Sequence, residues 1–329
     1  MSWSANAARR LRHNPVLVLE GYTGLSDTAR GAVIALGNFD GVHAGHLAVL
    51  ARARSLAQEI GAPHGVALFQ PHPRRFFAPD SAPFKLMSHD WRNEKLAAAG
   101  AETVFALPFD ETMAAMSPED FVETVLHRGL GIRGVVTGAD FRFGKDRAGD
   151  ADQLEALCAA RGIAASRVEL FNDIEEKVSS SRIRKALSEG DVASAARWLD
   201  GAWRVEGEVQ HGDKRGRTIG FPTANVLLGD YTRPAHGVYA VRVGLPGERP
   251  LRPGVANFGV RPTVDGTQER LEVFLFDFDQ DLYGQTIAVA FEGFLRPEQK
   301  FEDFAALKAQ IEADAKAARD MLSATAGPA

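Results

Sequence analysis

The chain has 329 residues, 45% of them hydrophobic and 25% charged, and a formal net charge of −5. That length exceeds one ordinary domain and suits two; the composition excludes a disordered chain, and the acidic balance argues against a general nucleic-acid binder. A single cysteine, Cys158, rules out an intramolecular disulfide and fits a reducing compartment, while no apolar run approaches transmembrane length, so the expectation is a cytoplasmic protein with neither membrane nor nucleic-acid partner.

In chain order, the opening "MSWSANAARRLRHNP" is basic and free of acids but lacks the apolar core of a secretory signal. It reads as a solvated arm before the first strand. "GAVIALG" is a buried strand, and "GHLAVLARARSLAQEIG" is a helix, with Leu47, Leu50, Ala53, Ala57 and Ile60 at helical spacing before Gly61 and Pro63. "GVALFQ" is the next strand, "RNEKLAAAG" a short helix and "TVFALPF" a strand. "SPEDFVETVLHRG" carries a full helix start, with Ser117 as cap and Pro118 in the first turn. "RGVVTG", "DADQLEALCAARG" and "IAASRVEL" continue as strand, helix and strand, and an apolar helical face explains Cys158. This alternation predicts a parallel sheet with helices on both faces.

The pattern changes after Leu199. "WRVEGEVQ", "GVYAVRV", "GVANFGV", "LEVFLFDF" and "QTIAVAFEGFL" are short strands separated by glycine and proline turns, with no helix until "FEDFAALKAQIEADAKAARDML". Closely spaced strands of this kind predict an antiparallel barrel or sandwich, covered on one side by the terminal helix. The final "SATAGPA" reads as disordered. Two domains are expected, meeting near the helical stretch "DVASAARWLDG".

Between the first strand and first helix lies "GNFDGVHAGHL", with His43 and His46 three residues apart. In open α/β sheets ligands bind at the carboxyl ends of strands. A helix starting near Gly45 would turn its free amides and positive dipole end towards that crevice. Gly37, Gly41 and Gly45 let backbone approach a ligand, and the imidazoles can donate to phosphate oxygens and stabilise charge on a pentacoordinate phosphorus. "VSSSRIRKALSEG" places Ser179, Ser180 and Ser181 at a second helix start with Arg182 and Arg184 behind, a polyphosphate holder in composition. No G-x-x-x-x-G-K-[ST] loop exists in the chain.

H-x-G-H after a first strand, with a late S-S-[ST]-x-[IV]-R segment, resembles the nucleotidyltransferase superfamily. "IALGNFDGVHAGH", "FQPHPRRFF", "VVTGADFRFG" and "VSSSRIR" resemble, more closely, the FMN adenylyltransferase module of the bacterial bifunctional riboflavin kinase/FAD synthetase family. Gln70 stands where an acid is common and Ser181 where threonine is usual. The resemblance implies that His43 and His46 contact ATP phosphates, that Ser179, Ser180 and Arg184 help hold them, and that Gly37, Asn38, Asp40, Gly45 and Asp140 line the site.

In the second half, "HGDKRGRTIGFPTANV" turns from polar and glycine-rich to apolar, and a strand through Thr223 and Asn225 would set both on one face. Their oxygens suit a magnesium ion that also binds phosphate, and "GDKRGR" offers a basic loop over a triphosphate. Glu272 is an acid in an otherwise apolar strand, and spacing alone favours the solvent face for it. "GRTIGFPTAN", "GVYAV", "NFGVRPTV", "LEVFLFDFDQDLYGQ" and "LRPEQKF" resemble the riboflavin kinase barrel of the same family. That resemblance implies Thr223 and Asn225 as ligands of the Mg2+ of MgATP, Glu272 as the base at the ribityl hydroxyl, and Gly220 at the nucleotide; Phe274 stands where histidine is frequent.

Together these imply an α/β chain: a Rossmann-like nucleotidyltransferase sheet at residues 15–186, then a riboflavin kinase-like antiparallel barrel with a terminal helix at 187–325. The implied activities are phosphorylation of riboflavin to FMN by ATP and adenylylation of FMN to FAD with release of pyrophosphate. An adenylyltransferase for another acceptor would share H-x-G-H without needing "GFPTAN" or Glu272. A flavin-sensing regulator would need neither a metal-ligand pair nor a base.

Overall fold

The computed structural model describes residues 16–169, 178–211, 221, 223–248, 251–263 and 266–325. The expected arm at 1–15 and the last residues of "SATAGPA" lie outside them. The chain divides into two compact units, one of residues 1–81 and 89–179, the other of residues 82–88 and 180–329.

The first unit is a six-stranded parallel sheet in the order β1-β4-β3-β2-β5-β6. Its strands are β1 (Leu17–Glu20), β2 (Val33–Leu36), β3 (His64–Gln70), β4 (Thr103–Pro108), β5 (Gly134–Gly138) and β6 (Ala164–Val168). Its helices are α1 (Ala44–Ile60), α2 (Pro73–Phe77), α3 (His89–Ala98), α4 (Glu111–Ala115), α5 (Pro118–Asp120) and α6 (Ala151–Ala159). The unbroken apolar run of β2 is what a strand covered on both faces requires, and all four of its residues are buried. From β2 the chain steps outward through β3 to β4, then returns to lay β5 against the other side of β2, pairing Ala35 with Val136. That reversal opens the crevice at the carboxyl ends of β2 and β5.

The strand–helix alternation expected from Gly31 onward is preceded by β1, a four-residue edge strand paired in parallel with β4. Ser117 caps its helix as expected, its Oγ accepting from the Asp120 amide at 3.0 Å. Beyond Asp120, however, the turns widen into a π-helix over Phe121–Leu130. That helix brings Gly129 against Tyr22, where a Cβ would lie 2.7 Å from the Tyr22 carbonyl oxygen. Cys158 is fully buried in α6, and burial pushes its thiol up to about 12. It is a packing residue, not a nucleophile.

In the second unit α7 (Ser180–Ser188) and α8 (Val192–Leu199) precede a closed antiparallel barrel, β10-β11-β8-β7-β12-β9. Its strands are β7 (Trp203–Gln210), β8 (Ala224–Val226), β9 (Gly237–Gly244), β10 (Arg252–Thr263), β11 (Gly266–Leu275) and β12 (Thr286–Pro297). Alternate residues such as Val205, Val241, Leu271, Val273 and Val289 fill the interior. The terminal helix α9 (Phe304–Thr325) covers an outer apolar patch, where Ala318 and Leu322 pack with Val238, Ala240, Val255 and Phe276.

Residues 82–88 belong to this second unit although α3 and β4 follow them in the chain. Phe84, Leu86 and Met87 are buried, and the Leu86 carbonyl accepts from the indole N–H of fully buried Trp203 at 2.9 Å. The Lys85 amide donates to Asp230 and the Lys85 carbonyl accepts from Thr232. A fragment of residues 180–329 would therefore leave a buried indole donor without its acceptor, at a cost of about 1–3 kcal/mol, besides uncovering apolar surface. Its unfolding midpoint is expected below that of the same unit in the intact chain, read by hydrogen exchange of the barrel amides. Equal midpoints would show that the strap contributes nothing.

Candidate active sites

The loop after β2 turns sharply. Phe39 has φ +53° and Gly41 φ +72°, and the left-handed region is unusual for an aromatic residue. The reason lies in packing: the Phe39 ring is buried, with its centroid 5.2 Å from that of His46. Gly37 sits over the same ring, where a Cβ would be 3.4 Å from it. Nothing local in the sequence marks Phe39 for this role.

His43 is the N-cap of α1, and the two histidines cap one another. The His46 amide donates to His43 Nδ1 at 3.4 Å, and the His43 amide donates to His46 Nδ1 at 3.5 Å. Imidazoles thus occupy the two positions of a capping box. The rings stack with centroids 3.8 Å apart. An imidazole that accepts through Nδ1 is the tautomer with its proton on Nε2. Burial, and then the neighbouring His43 ring, push His46 well below the usual histidine range, against a backbone hydrogen bond at Gly41 that acts the other way. His46 is therefore neutral at pH 7.

Burial also lowers the pKa of His64. For both histidines the folded pKa lies below the unfolded value of about 6.5. Below that pH the unfolded chain takes up protons that the folded chain refuses, so stability is full above it and falls as pH drops. The expected slope is up to about 1.4 kcal/mol per pH unit for each histidine. Hydrogen exchange of the β2 and β5 amides between pH 7 and pH 5 reads it, and a flat profile would contradict it.

Asn38 follows Gly37, and its Oδ1 is buried with no hydrogen-bond partner among the described residues. Asp40 is 9% exposed. Asp140 is exposed in the turn after β5, close enough to Gly138 that a Cβ there would lie 3.2 Å from Asp140 Oδ1. Because β2 and β5 are neighbours, their pairing brings the loops carrying Asn38, Asp40 and Asp140 side by side, with Gly45 in the first turn of α1. At the carboxyl ends of β3 and β4, Phe69, Phe76 and Phe77 surround Phe109 at centroid distances of 5.5, 5.3 and 5.6 Å, and Phe77 is 67% exposed. Ser179 ends the first unit. Ser180 and Arg184 belong to α7 in the second unit, where Arg184 Nε donates to the Phe84 carbonyl at 2.6 Å.

In the barrel, register pairs Glu272 of β11 with Asn225 of β8 on one side and Asn257 of β10 on the other. Directly opposed residues share a face, so Asn225, Glu272 and Asn257 form a row across three strands. Leu271 and Val273 point into the barrel, which puts the row on the outer face, as spacing favours, with Glu272 partly buried. Asn225 is buried and its Nδ2 donates to the Thr223 carbonyl at 3.4 Å, leaving Oδ1 as its acceptor end. Thr223 immediately precedes β8 and, two residues from Asn225, shares its face. Asn257 Nδ2 donates to Glu298 Oε1 at 3.2 Å. Asn257 carries no mark in the sequence, since only strand register sets it beside Glu272.

A cavity of about 510 Å³ opens at Thr223, bounded also by Val209, Leu275, Phe278, Asp281 and Tyr283. Phe274 continues the row on the outer face and packs edge-on to Phe221 at 5.0 Å. Gly220 and "GDKRGR" lie outside the described residues. Among the described residues no cluster of three His, Cys, Asp or Glu could hold a metal. A threonine hydroxyl beside an amide oxygen fits a hard divalent ion that keeps phosphate oxygens as its other ligands.

A family model described as FAD synthetase matches residues 25–182, and one described as riboflavin kinase matches residues 199–322. A bifunctional riboflavin kinase/FMN adenylyltransferase of Pseudomonas fluorescens is 41% identical over 313 residues, covering 94% of this chain and 99% of the relative. Those of Escherichia coli K12 and Bacillus subtilis are 40% and 39% identical, covering 90% and 86% of this chain and 94% and 90% of theirs. A crystal structure of a macrolide-efflux protein from Streptococcus pneumoniae superposes with a TM-score of 0.80 at 30% identity, covering 92% of this chain and 99% of that one. No helix among the described residues here is long and apolar enough to cross a membrane. Matched in both halves, in order, and along nearly the full length of these relatives, the chain belongs to the bifunctional riboflavin kinase/FMN adenylyltransferase family.

Proposed function

We infer that the barrel unit phosphorylates riboflavin to FMN and that the sheet unit adenylylates FMN to FAD. The observation that carries this is that each matched half holds its own polar constellation: the Asn225–Glu272–Asn257 row in one, the mutually capped histidines in the other. In the barrel, Glu272 accepts the proton of the riboflavin 5′-hydroxyl as that oxygen attacks the γ-phosphorus of ATP, and ADP leaves. Such transfer depends chiefly on positioning and charge neutralisation. Thr223 and Asn225 would hold the divalent ion, which we read as Mg2+, and Gly220 would adjoin the nucleotide. The ion neutralises phosphate charge when bound.

In the sheet unit the FMN phosphate attacks the α-phosphorus of ATP and pyrophosphate leaves. A phosphate is already anionic, so no base is needed, and the Nε2–H groups of His43 and His46 stabilise charge that gathers in the transition state. Gly37, Asn38, Asp40, Gly45 and Asp140 line this site in our reading, Ser179 helps hold the triphosphate, and the Phe69–Phe109 ledge suits the isoalloxazine ring. We assign the adenylyl-transfer domain to residues 15–186 and the kinase domain to residues 187–325, acting in the cytoplasm on small molecules rather than on nucleic acid or membranes.

Incubating the chain with riboflavin, ATP and magnesium and separating the flavins tests the reading. FMN should form first, with ADP, and FAD second, with pyrophosphate. Riboflavin bound but unchanged would favour a flavin sensor. Failure to convert supplied FMN would remove the adenylyl-transfer half.

A further inference from the structure

The N-terminal turn of α3 carries a charged group whose Nε finds no hydrogen-bond acceptor among the described residues. Arg92 is the fourth residue of α3. Its side chain is partly buried, and its Nε is enclosed with no hydrogen-bond partner. An enclosed guanidinium N–H without an acceptor is costly, and a group so placed calls for an acceptor from outside the protein.

Topology says which acceptor. In the crossover β3–α3–β4, the start of the helix lies towards the carboxyl end of β3, the strand next to β2. Arg92 is thereby at the same edge of the sheet as the loop after β2. The Asp40 charge acts on it and partly offsets the burial that brings its pKa down to about 10. It remains charged at neutral pH. In the same loop, Asn38 Oδ1 is a buried acceptor lacking a donor. An enclosed donor on α3 thus lies within electrostatic reach of Asp40, whose loop also carries an enclosed acceptor, both lacking a partner among the described residues.

Charge balance points the same way. Adenylyl transfer brings a phosphate dianion up to a triphosphate. His46 is neutral and supplies a dipole rather than a net charge, while Asp40 adds a negative one. A fixed cation beside them is what the reaction needs. We propose that Arg92 is a further binding residue of the adenylyl-transfer site, its guanidinium taking a phosphate oxygen of a nucleotide substrate next to Asp40. The assignment rests on the adenylyl-transfer reading above. The oxygen belongs either to ATP or to the phosphate of FMN.

The test uses the full-length chain with Arg92→Met and Arg92→Lys, varying FMN and ATP separately. Arg92→Met should raise KM for one of the two by roughly tenfold or more, the loss of a charged hydrogen bond, with riboflavin phosphorylation unchanged. Arg92→Lys, which keeps the charge but not the planar fork, should raise the same KM less. A rise for ATP assigns the residue to the triphosphate, and a rise for FMN assigns it to the attacking phosphate. Both KM values at the wild-type level, even with a lower kcat, would make Arg92 a structural residue and overturn the proposal. If circular dichroism shows Arg92→Met unfolded, Arg92→Lys is judged by the same criterion. A wild-type chain that makes no FAD would instead overturn the functional reading on which the assignment rests.

Discussion

Glu272→Gln is expected to lower FMN formation by about 10²–10⁴-fold, the usual contribution of a positioned general base, while supplied FMN is still converted to FAD at the normal rate. Glutamine keeps the size and hydrogen-bonding reach of the side chain but cannot take a proton from the ribityl hydroxyl. The position tolerates an amide, since its cross-strand neighbours Asn225 and Asn257 are themselves amides. The interior is untouched, because the fully buried Leu271 and Val273 on either side face the other way. The loss should therefore fall on kcat, without a shift in the barrel's unfolding midpoint. FMN formed at the wild-type rate would remove Glu272 from the role of base.

His46→Ala is expected to reduce adenylyl transfer by about 10²–10³-fold, the scale for losing one preorganised donor at developing charge, and to spare riboflavin phosphorylation. Alanine also deletes half of the mutual cap, since His46 Nδ1 accepts from the His43 amide. A lost cap costs about 1 kcal/mol and loosens the start of α1, so the alanine variant alone does not separate chemistry from architecture. His46→Gln does. Position N3 of a capping box accepts glutamine, whose carbonyl oxygen reaches back to the N-cap amide, so stability should return while adenylyl transfer stays low. Recovery of both would mean that His46 acts only as a cap.

Much of the molecule is legible in the residues. The parallel sheet, the all-β second half, the terminal helix, the cap at Ser117 and the packing role of Cys158 each follow from a local spacing, and each is present. The loop carrying His43 and His46 could be placed at a strand's carboxyl end for the same reason. That the two imidazoles cap one another could not, because histidine is an uncommon capping residue. Phe39, Arg92 and Asn257 carry no mark in the chain.

By itself the sequence determined the type and order of the elements and the chemistry available in each turn, because hydrophobic period, caps and breakers act over a few residues. It also bounded the second half to a barrel or a sandwich. Only the tertiary structure decided that the barrel closes, that β5 returns to the side of β2 and sets the loop of Asp140 beside that of Asp40, and that Asn225, Glu272 and Asn257 stand abreast. It decided too that residues 82–88 join the unit whose remaining chain begins at residue 180. Strand order and register are set by hydrogen bonds and burial between segments far apart in the chain, whose cost and gain leave no periodic trace in either segment alone.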